Sequence, residues 1–280
     1  MAGRIDISGM KRYLDRPHMC PVVELDLDDP HLESVLSLQY GRYLRREPGD
    51  VPAGLHIIEE RIDESQYTIK ACGETKVTEY PLSEIDDILY DHNQVEDQFF
   101  GLHAGAVARG ERAYIFAAPT TAGKTTLTTY LVQQGFSYVT DDCVLIHMDT
   151  FQITPYPKPV HLRDGGFAVL SQMGMLPPEM EHCRHEGVER YIFTPENQAA
   201  GQLEIGALFF IERTEKENQV IPLPPLEAMQ MLMKGPIAHR KVDSRYLRFL
   251  AELSKRRCKR LQYSSMEYVK GWIEEDMAHG

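Results

Sequence analysis

The sequence has little of what marks secreted or membrane-spanning proteins. It contains one tryptophan and few cysteines, which are widely scattered: Cys20, Cys72, Cys143, Cys183 and Cys258. An odd number of scattered cysteines argues against a disulfide framework and is typical of reduced thiols, so we expect a cytoplasmic location. No run approaches the ~18 apolar residues of a membrane helix. The N-terminus also lacks the apolar stretch of a secretory signal, so we expect neither export nor a membrane partner.

Positive charge is also scarce, because 30 lysines and arginines face 42 aspartates and glutamates, which gives a net charge of −12. A protein that binds nucleic acid needs a face that neutralises phosphates, so we expect no nucleic-acid partner. The exception is a basic run at residues 255–260. It is either a solvated helix end or a grip for an acidic peptide or a second copy of the chain, which would make a homo-oligomer.

What the sequence does contain is a phosphate-binding pattern at residues 118–125, Ala-Pro-Thr-Thr-Ala-Gly-Lys-Thr. An apolar run at 113–117 reads as a buried strand before it, and Leu127, Tyr130 and Leu131 follow at helical spacing. A strand, a tight loop and a helix that opens on Gly-Lys-Thr form the P-loop arrangement. One position departs from the pattern, since Ala118 stands where the first glycine is usual.

The chemistry of this loop follows from its backbone. Amide groups of the loop and of the first helical turn converge on a phosphate, which assigns a nucleotide-binding role to a continuous stretch: Pro119, Thr120, Thr121, Ala122, Gly123, Lys124, Thr125 and Thr126. We expect Lys124 to reach the β- and γ-phosphates of the nucleotide. We expect the Thr125 hydroxyl to hold Mg²⁺.

A pair of acids and a histidine could complete a reactive site. Asp141 and Asp142 follow Lys124 by 17 and 18 residues, so a helix and a short strand would return them beside the loop. One carboxylate would then hold Mg²⁺ and the other accept a proton from an attacking hydroxyl; the alternative is a solvated surface turn. His103 precedes Lys124 by 21 residues, on a strand antiparallel to the one that enters the loop. His103 would then either lie at the mouth of the nucleotide site or be an ordinary strand histidine that is held by hydrogen bonds.

Two domains are expected. Residues 1–97 read as a smaller α+β domain, with strands at 22–27, 55–59, 67–71 and 76–80 and a helix that starts at Ser83 as N-cap. Residues 98–280 read as the nucleotide-binding domain. Within it, the polar and proline-interrupted stretch 175–200 is predicted to be a lid or an excursion.

His103, the loop and the Asp141–Asp142 pair together resemble the catalytic core of the HPr kinase/phosphorylase family, over about residues 99–275. The resemblance implies an α/β fold with the mixed β-sheet of the HPr kinase and PEP carboxykinase type. It also implies that Asp142 accepts the proton, that His103 and Lys124 are active-site residues, that Thr125 binds Mg²⁺ and that Asp141 is a supporting acid.

The resemblance is incomplete at the family's glycine-rich signature loop, which carries a metal-binding Glu before Ile-Arg-Gly. Arg163 matches the arginine and is expected to act in catalysis by neutralising charge on the transferred phosphoryl group. His161 stands at the position of the glutamate. We expect Asp164 to substitute as a second Mg²⁺ ligand, so the metal set becomes Thr125, Asp141 and Asp164. Stand-alone relatives of this size resemble lasso-peptide tailoring kinases, which phosphorylate a serine of a precursor peptide.

The sequence therefore predicts an ATP- and Mg²⁺-dependent kinase that acts on a serine hydroxyl of a peptide or protein. Two alternatives stay open, a kinase for a small molecule such as free serine and a nucleotide-binding regulator without catalysis. The domain at 1–97 is expected to recognise the acceptor.

Overall fold

The computed structural model describes residues 9–92, 94–119, 122–235 and 242–279. They form two compact units. The first comprises the chain up to Glu96 together with Cys183–Val188, and the second comprises Asp97–His182 together with the chain from Glu189 onward. None of the helices in these ranges combines the length and the apolar character needed to cross a bilayer.

The first unit is built on a mixed sheet. Its strands are β1 (Met10–Leu14), β2 (Met19–Cys20), β3 (Val23–Leu27), β4 (Leu44–Arg45), β5 (Leu55–Arg61), β6 (Tyr67–Ala71), β7 (Glu74–Thr78) and β8 (Gln94–Val95). Its helices are α1 (Pro30–Tyr40) and α2 (Pro81–Asp91). The sheet order is β4-β1-β3-β5-β6-β7, in which β3 and β5 run parallel and the other neighbours antiparallel, while β2 pairs with β8.

The helix starts of this unit differ from the sequence prediction. Ser83 is not the N-cap of α2, because the helix begins two residues earlier at Pro81. Proline suits the first helical position, where its missing N–H leaves no bond unmade. The Glu186 carboxylate accepts hydrogen bonds from the backbone amides of Leu82 (2.9 Å) and Ser83 (3.1 Å) and from the Ser83 hydroxyl. A carboxylate distant in sequence therefore caps α2, which local patterns do not reveal.

The second unit contains the predicted nucleotide-binding segment. Its strands are β9 (Phe99–Arg109), β10 (Arg112–Ala117), β11 (Ser137–Thr140), β12 (Cys143–His147), β13 (Ile153–Thr154), β14 (Val160–Leu162), β16 (Val188–Phe193), β17 (Glu204–Arg213), β18 (Gln219–Pro222) and β19 (Cys258–Tyr263). Its helices are α3 (Lys124–Gln133), α4 (Asp164–Gln172), α5 (Pro225–Leu232), α6 (Ser244–Leu253) and α7 (Met266–His279). Strand β15 (Glu181–His185) belongs partly to each unit, because Cys183–Val188 is part of the first. Residues 175–200 contain two strands, β15 and β16, and β16 pairs antiparallel with β14. A role of this stretch as a lid or an excursion stays a prediction.

The main sheet of this unit has the order β13-β12-β9-β10-β17-β19-β18, with β11 paired to β9. Strands β10, β17 and β19 run parallel to one another, and β9 runs antiparallel to β10. Parallel strands covered on both faces read as continuous apolar runs, as β10 and β17 do. Helices α5 and α6 pack on one face and helices α3 and α7 on the other. This arrangement confirms the predicted mixed α/β class.

Candidate active site

The start of α3 lies at the carboxyl end of β10, where the sequence predicts a phosphate-binding loop. Gly123 has a φ of 91°, in the left-handed region that glycine adopts without strain, and α3 begins at the next residue, Lys124. Thr120 and Thr121 lie outside the described residues, and Pro119 and Ala122 flank them. The structure therefore describes both ends of the loop and the helix that follows it.

The Lys124 side chain turns back toward the loop. Its Nζ atom donates hydrogen bonds to the carbonyl oxygens of Ala118 (2.7 Å) and Pro119 (3.1 Å), and the residue is only 7% exposed. Burial lowers the pKa of the ammonium, while the charges of Asp141 and Asp142 act in the opposite direction. The amine thus lies in the field of both carboxylates, at the point where a polyphosphate would meet the loop.

Asp141 is held beside the first turn of α3. Strand β11 pairs antiparallel with β9 and ends at Thr140, so the next residue emerges at the same place as the loop. Burial raises the pKa of Asp141 to about 7, a hydrogen bond from Thr125 opposes that rise, and the Asp142 charge adds to it. Within the described ranges, the buried Asp141 Oδ1 atom has no hydrogen-bond partner.

This arrangement fits Mg²⁺. The ion takes oxygen ligands, and enzymes commonly hold it by one or two carboxylates together with substrate phosphates. An unpartnered buried carboxylate oxygen beside a threonine hydroxyl supplies that donor set. Among the residues that the structure describes, no three His, Cys, Asp or Glu side chains form a cluster that could hold a metal ion.

Asp142 lies between two nitrogen groups. His103 Nδ1 is 3.1 Å from the Asp142 carbonyl oxygen and 3.5 Å from Oδ1, and Lys158 Nζ donates to Oδ2 at 3.2 Å. Burial would raise the pKa of this carboxyl group, but the Lys158 charge and the His103 contacts outweigh it and hold the pKa well below its usual range. Asp142 is therefore ionised at neutral pH and fixed in orientation.

Arg163 and Asp164 lie at the beginning of α4. A Cβ atom placed on Gly166 would come within 2.8 Å of Thr126 Oγ1, so the first turn of α4 lies against the first turn of α3. The side chains of Arg163 and Asp164 are exposed, and neither makes a hydrogen bond or an ion pair with other described residues. Their roles as a catalytic arginine and a second Mg²⁺ ligand stay predictions.

The chain was compared with known proteins. No protein-family model matches it, and no curated protein sequence does. Among solved structures it is similar to the Hpr(Ser) kinase/phosphatase from Coxiella burnetii, at 12% sequence identity and a TM-score of 0.30. The match covers 64% of this chain and 99% of that chain. At this identity and TM-score the similarity is distant.

Sequence reasoning missed two residues of the site, Lys158 and Gly105. Lys158 lies in an extended segment between prolines, and no pattern connects it to Asp142. Gly105 had a signal, since a glycine inside a strand often marks the close approach of another group. A Cβ atom there would lie 2.4 Å from Thr128 Oγ1 and 3.5 Å from Asp141 Oδ1. Gly105 therefore leaves the space in which α3 and Asp141 approach β9.

The basic run at 255–260 is largely engaged within its own unit. The Arg256 guanidinium lies 3.8 Å from the ring centroid of Phe151. Other cations of the run pair with carboxylates: Lys255 with Glu252, Arg257 with Asp276 and Arg260 with Glu227. These contacts favour a structural role, and a grip for a peptide or a second copy stays a prediction.

Proposed function

We propose that this chain is an ATP- and Mg²⁺-dependent kinase that transfers the γ-phosphoryl group of ATP to a serine hydroxyl of a peptide or protein. The observation that carries the proposal is the convergence of an ammonium, a hydroxyl, two carboxylates and an imidazole around the start of α3: Lys124, Thr125, Asp141, Asp142 and His103. A protein that only holds Mg²⁺ and nucleotide needs the ammonium, the hydroxyl and one carboxylate. It has no use for an oriented second carboxylate.

The phosphates of ATP would lie on the backbone N–H groups of the loop that precedes Lys124 and of the first turn of α3. Lys124 already donates to carbonyl oxygens of that loop, and phosphate oxygens would replace them as acceptors. Thr125 and Asp141 would hold Mg²⁺, which neutralises charge on the β- and γ-phosphate oxygens when bound. Pre-placed charges of this kind stabilise the transition state without further reorganisation.

In the transfer itself, the acceptor's hydroxyl oxygen forms a bond to the γ-phosphorus. The bond from that phosphorus to the bridging oxygen breaks, and ADP leaves with the electron pair. The hydroxyl proton passes to a carboxylate oxygen of Asp142, which His103 and Lys158 hold in place. Because bond formation has advanced little in a loose transition state, a weakly basic carboxylate is sufficient, and its main task is to orient the hydroxyl.

The experiment is transfer of label from [γ-³²P]ATP in the presence of Mg²⁺, with serine-containing peptides and free serine as acceptors. We expect Asp142→Asn to bind ATP normally but to lose transfer by about 10²–10⁴-fold. A matched control is Asp149→Asn, which removes an exposed carboxylate paired with Arg245 and should keep the wild-type rate.

The outcomes separate the alternatives. Transfer by Asp142→Asn near the wild-type rate would remove Asp142 as the proton acceptor. Label that stays in ATP with every acceptor, although ATP binds tightly, would indicate a regulator. Faster labelling of free serine than of any peptide would indicate a small-molecule kinase, because a peptide kinase uses binding energy from the rest of its acceptor.

A further inference from the structure

A pocket of 160 Å³ lies in the second unit next to the start of α3. The loop end and first turn of α3 form one side of it, through Gly123 and Thr126. Helix α4 contributes a second side, and the ends of β17 and β19 with the start of α7 contribute the rest. The pocket is therefore continuous with the phosphate-binding loop but is not made by it alone.

The topology explains why a pocket forms here. Strands β10, β17 and β19 are parallel, so their carboxyl ends, at Ala117, Arg213 and Tyr263, meet at one edge of the sheet. In open α/β sheets, ligands bind outside the carboxyl ends of the strands. Tyr263 is in fact next to the loop, since a Cβ atom on Gly123 would lie 3.4 Å from its hydroxyl oxygen.

The pocket lies on a different side of the loop from the reacting groups. Its lining includes Gly123 and Thr126 but not His103, Asp141 or Asp142. A bound nucleotide is a linear molecule whose γ-phosphate must meet the two acids. The nucleoside end must then leave the loop on another side, and the pocket lies beside the loop there, next to Gly123 and Thr126. We propose that this pocket receives the nucleoside, the heterocyclic base with its ribose; this inference rests on the proposed function.

The lining suits a flat ring with polar edges. Val169 of α4, Met173 directly after that helix and the Tyr263 ring provide apolar surface, and a methionine thioether packs well against an aromatic ring. The Arg213 guanidinium is exposed and makes no hydrogen bond or ion pair with other described residues. It can stack on a base or donate to its edge. Most ligand pockets combine apolar walls with a few polar groups in this way.

Further polar groups at the rim are already ordered. The Ser265 hydroxyl donates to the Glu267 carboxylate at 2.6 Å, and Asn218 donates to the Ser264 hydroxyl at 2.9 Å. Carboxylate oxygens are suitable acceptors for ribose hydroxyls. The volume is below the roughly 300–1,000 Å³ of sites for drug-sized ligands. The volume is appropriate for the base, with the ribose at the rim beside Glu267 and the phosphate tail outside, on the loop.

The test separates the two ends of the nucleotide by calorimetric titration with Mg·ATP and with Mg²⁺ and inorganic tripolyphosphate, which has the tail alone. Met173→Trp fills the pocket and Arg213→Met removes its guanidinium. We expect both variants to bind ATP about tenfold or more weakly and to bind tripolyphosphate as the wild type does. Met173→Leu keeps the apolar wall and should bind both ligands normally.

Variants that bind ATP as tightly as the wild type would overturn the assignment. So would variants that lose ATP and tripolyphosphate in equal measure, since that result indicates a general disturbance of the loop. A wild-type protein that binds tripolyphosphate as tightly as ATP would also overturn it, while the phosphate site of the proposed function would stand. A wild-type protein that binds neither ligand would overturn the proposed function first, and the pocket assignment with it.

Discussion

Glu59 in the first unit and Asp141 in the second present the same local feature. Each has one carboxylate oxygen that is buried and has no hydrogen-bond partner among the described residues. Burial raises the pKa of both groups, to about 7 for Asp141. By those criteria alone the two residues are equally good candidates for a functional site.

Their neighbours differ. The other oxygen of Glu59 accepts hydrogen bonds from the backbone amides of Asp28 (2.8 Å) and Asp29 (3.1 Å), just before α1. Asp141 instead faces the Thr125 hydroxyl, the Lys124 ammonium and a second carboxylate. Glu59 accepts hydrogen bonds from backbone amides and so stabilises the start of a helix, whereas three kinds of reactive side chain surround Asp141. An unpartnered buried oxygen therefore indicates chemistry where such side chains converge on it.

The comparison is tested most strongly by Asp141→Asn and Glu59→Gln, which remove one charge each with little change of shape. We expect Asp141→Asn to reduce Mg²⁺-dependent phosphoryl transfer by about 10³-fold, because a bound metal ion lowers the barrier by several kcal/mol. Glu59→Gln should keep the wild-type rate. Label transfer from ATP measures both, and equal losses in the two variants would contradict the distinction.

The next effect concerns the cation that orders Asp142. Lys158→Met removes the group that donates to Asp142 Oδ2 at 3.2 Å and leaves the carboxylate its contact with His103. We expect kcat to fall about 10–100-fold, as is typical when a supporting contact is removed, with KM for ATP little changed. Lys158→Arg should recover part of the rate. A variant that weakens ATP binding instead would assign Lys158 to the nucleotide.

The third prediction concerns the close approach of α3 to β9 at Gly105. Ala at this position would place its Cβ atom 2.4 Å from Thr128 Oγ1, so the Thr128 side chain or the helix α3 that carries it must move. We expect a loss of about 1–3 kcal/mol in the free energy of unfolding, together with slower transfer. Gly271→Ala in α7 is the control, since nothing lies within 4 Å of its Cβ position. Normal stability and transfer in Gly105→Ala would show that the close approach is not needed.

Local sequence patterns predicted the elements that carry the site but not all of its contacts. The apolar run before the loop and the Gly123–Lys124 helix start predicted β10 and α3, and the chain returned Asp141 beside them as spacing suggested. Lys158 could not be predicted, because its contact with Asp142 depends on a proline-flanked segment with no periodicity. The Ser83 cap was wrong for a similar reason: the partner, Glu186, lies far away in sequence.

The smallest expected effect concerns Glu59 and stability. Burial, and then the charges of Asp29 and Asp28, raise its pKa above the ordinary value of 4.5, although two backbone hydrogen bonds oppose the rise. The folded state thus keeps the proton to higher pH than the unfolded state. The stability that Glu59 contributes is complete below pH 4.5 and is lost as pH rises through the folded-state pKa.

Glu59→Gln removes this titration, so the stability of the variant relative to the wild type should increase with pH, by about 1.4 kcal/mol for each unit by which the pKa is raised. Urea unfolding of both proteins from acid to neutral pH measures the difference. Glu60→Gln, at an exposed carboxylate that pairs with Lys70, controls for the loss of a charge. If the difference between Glu59→Gln and the wild type does not change with pH, the pKa of Glu59 is the same in the folded and unfolded states. The resemblance between Glu59 and Asp141 would then be limited to their burial.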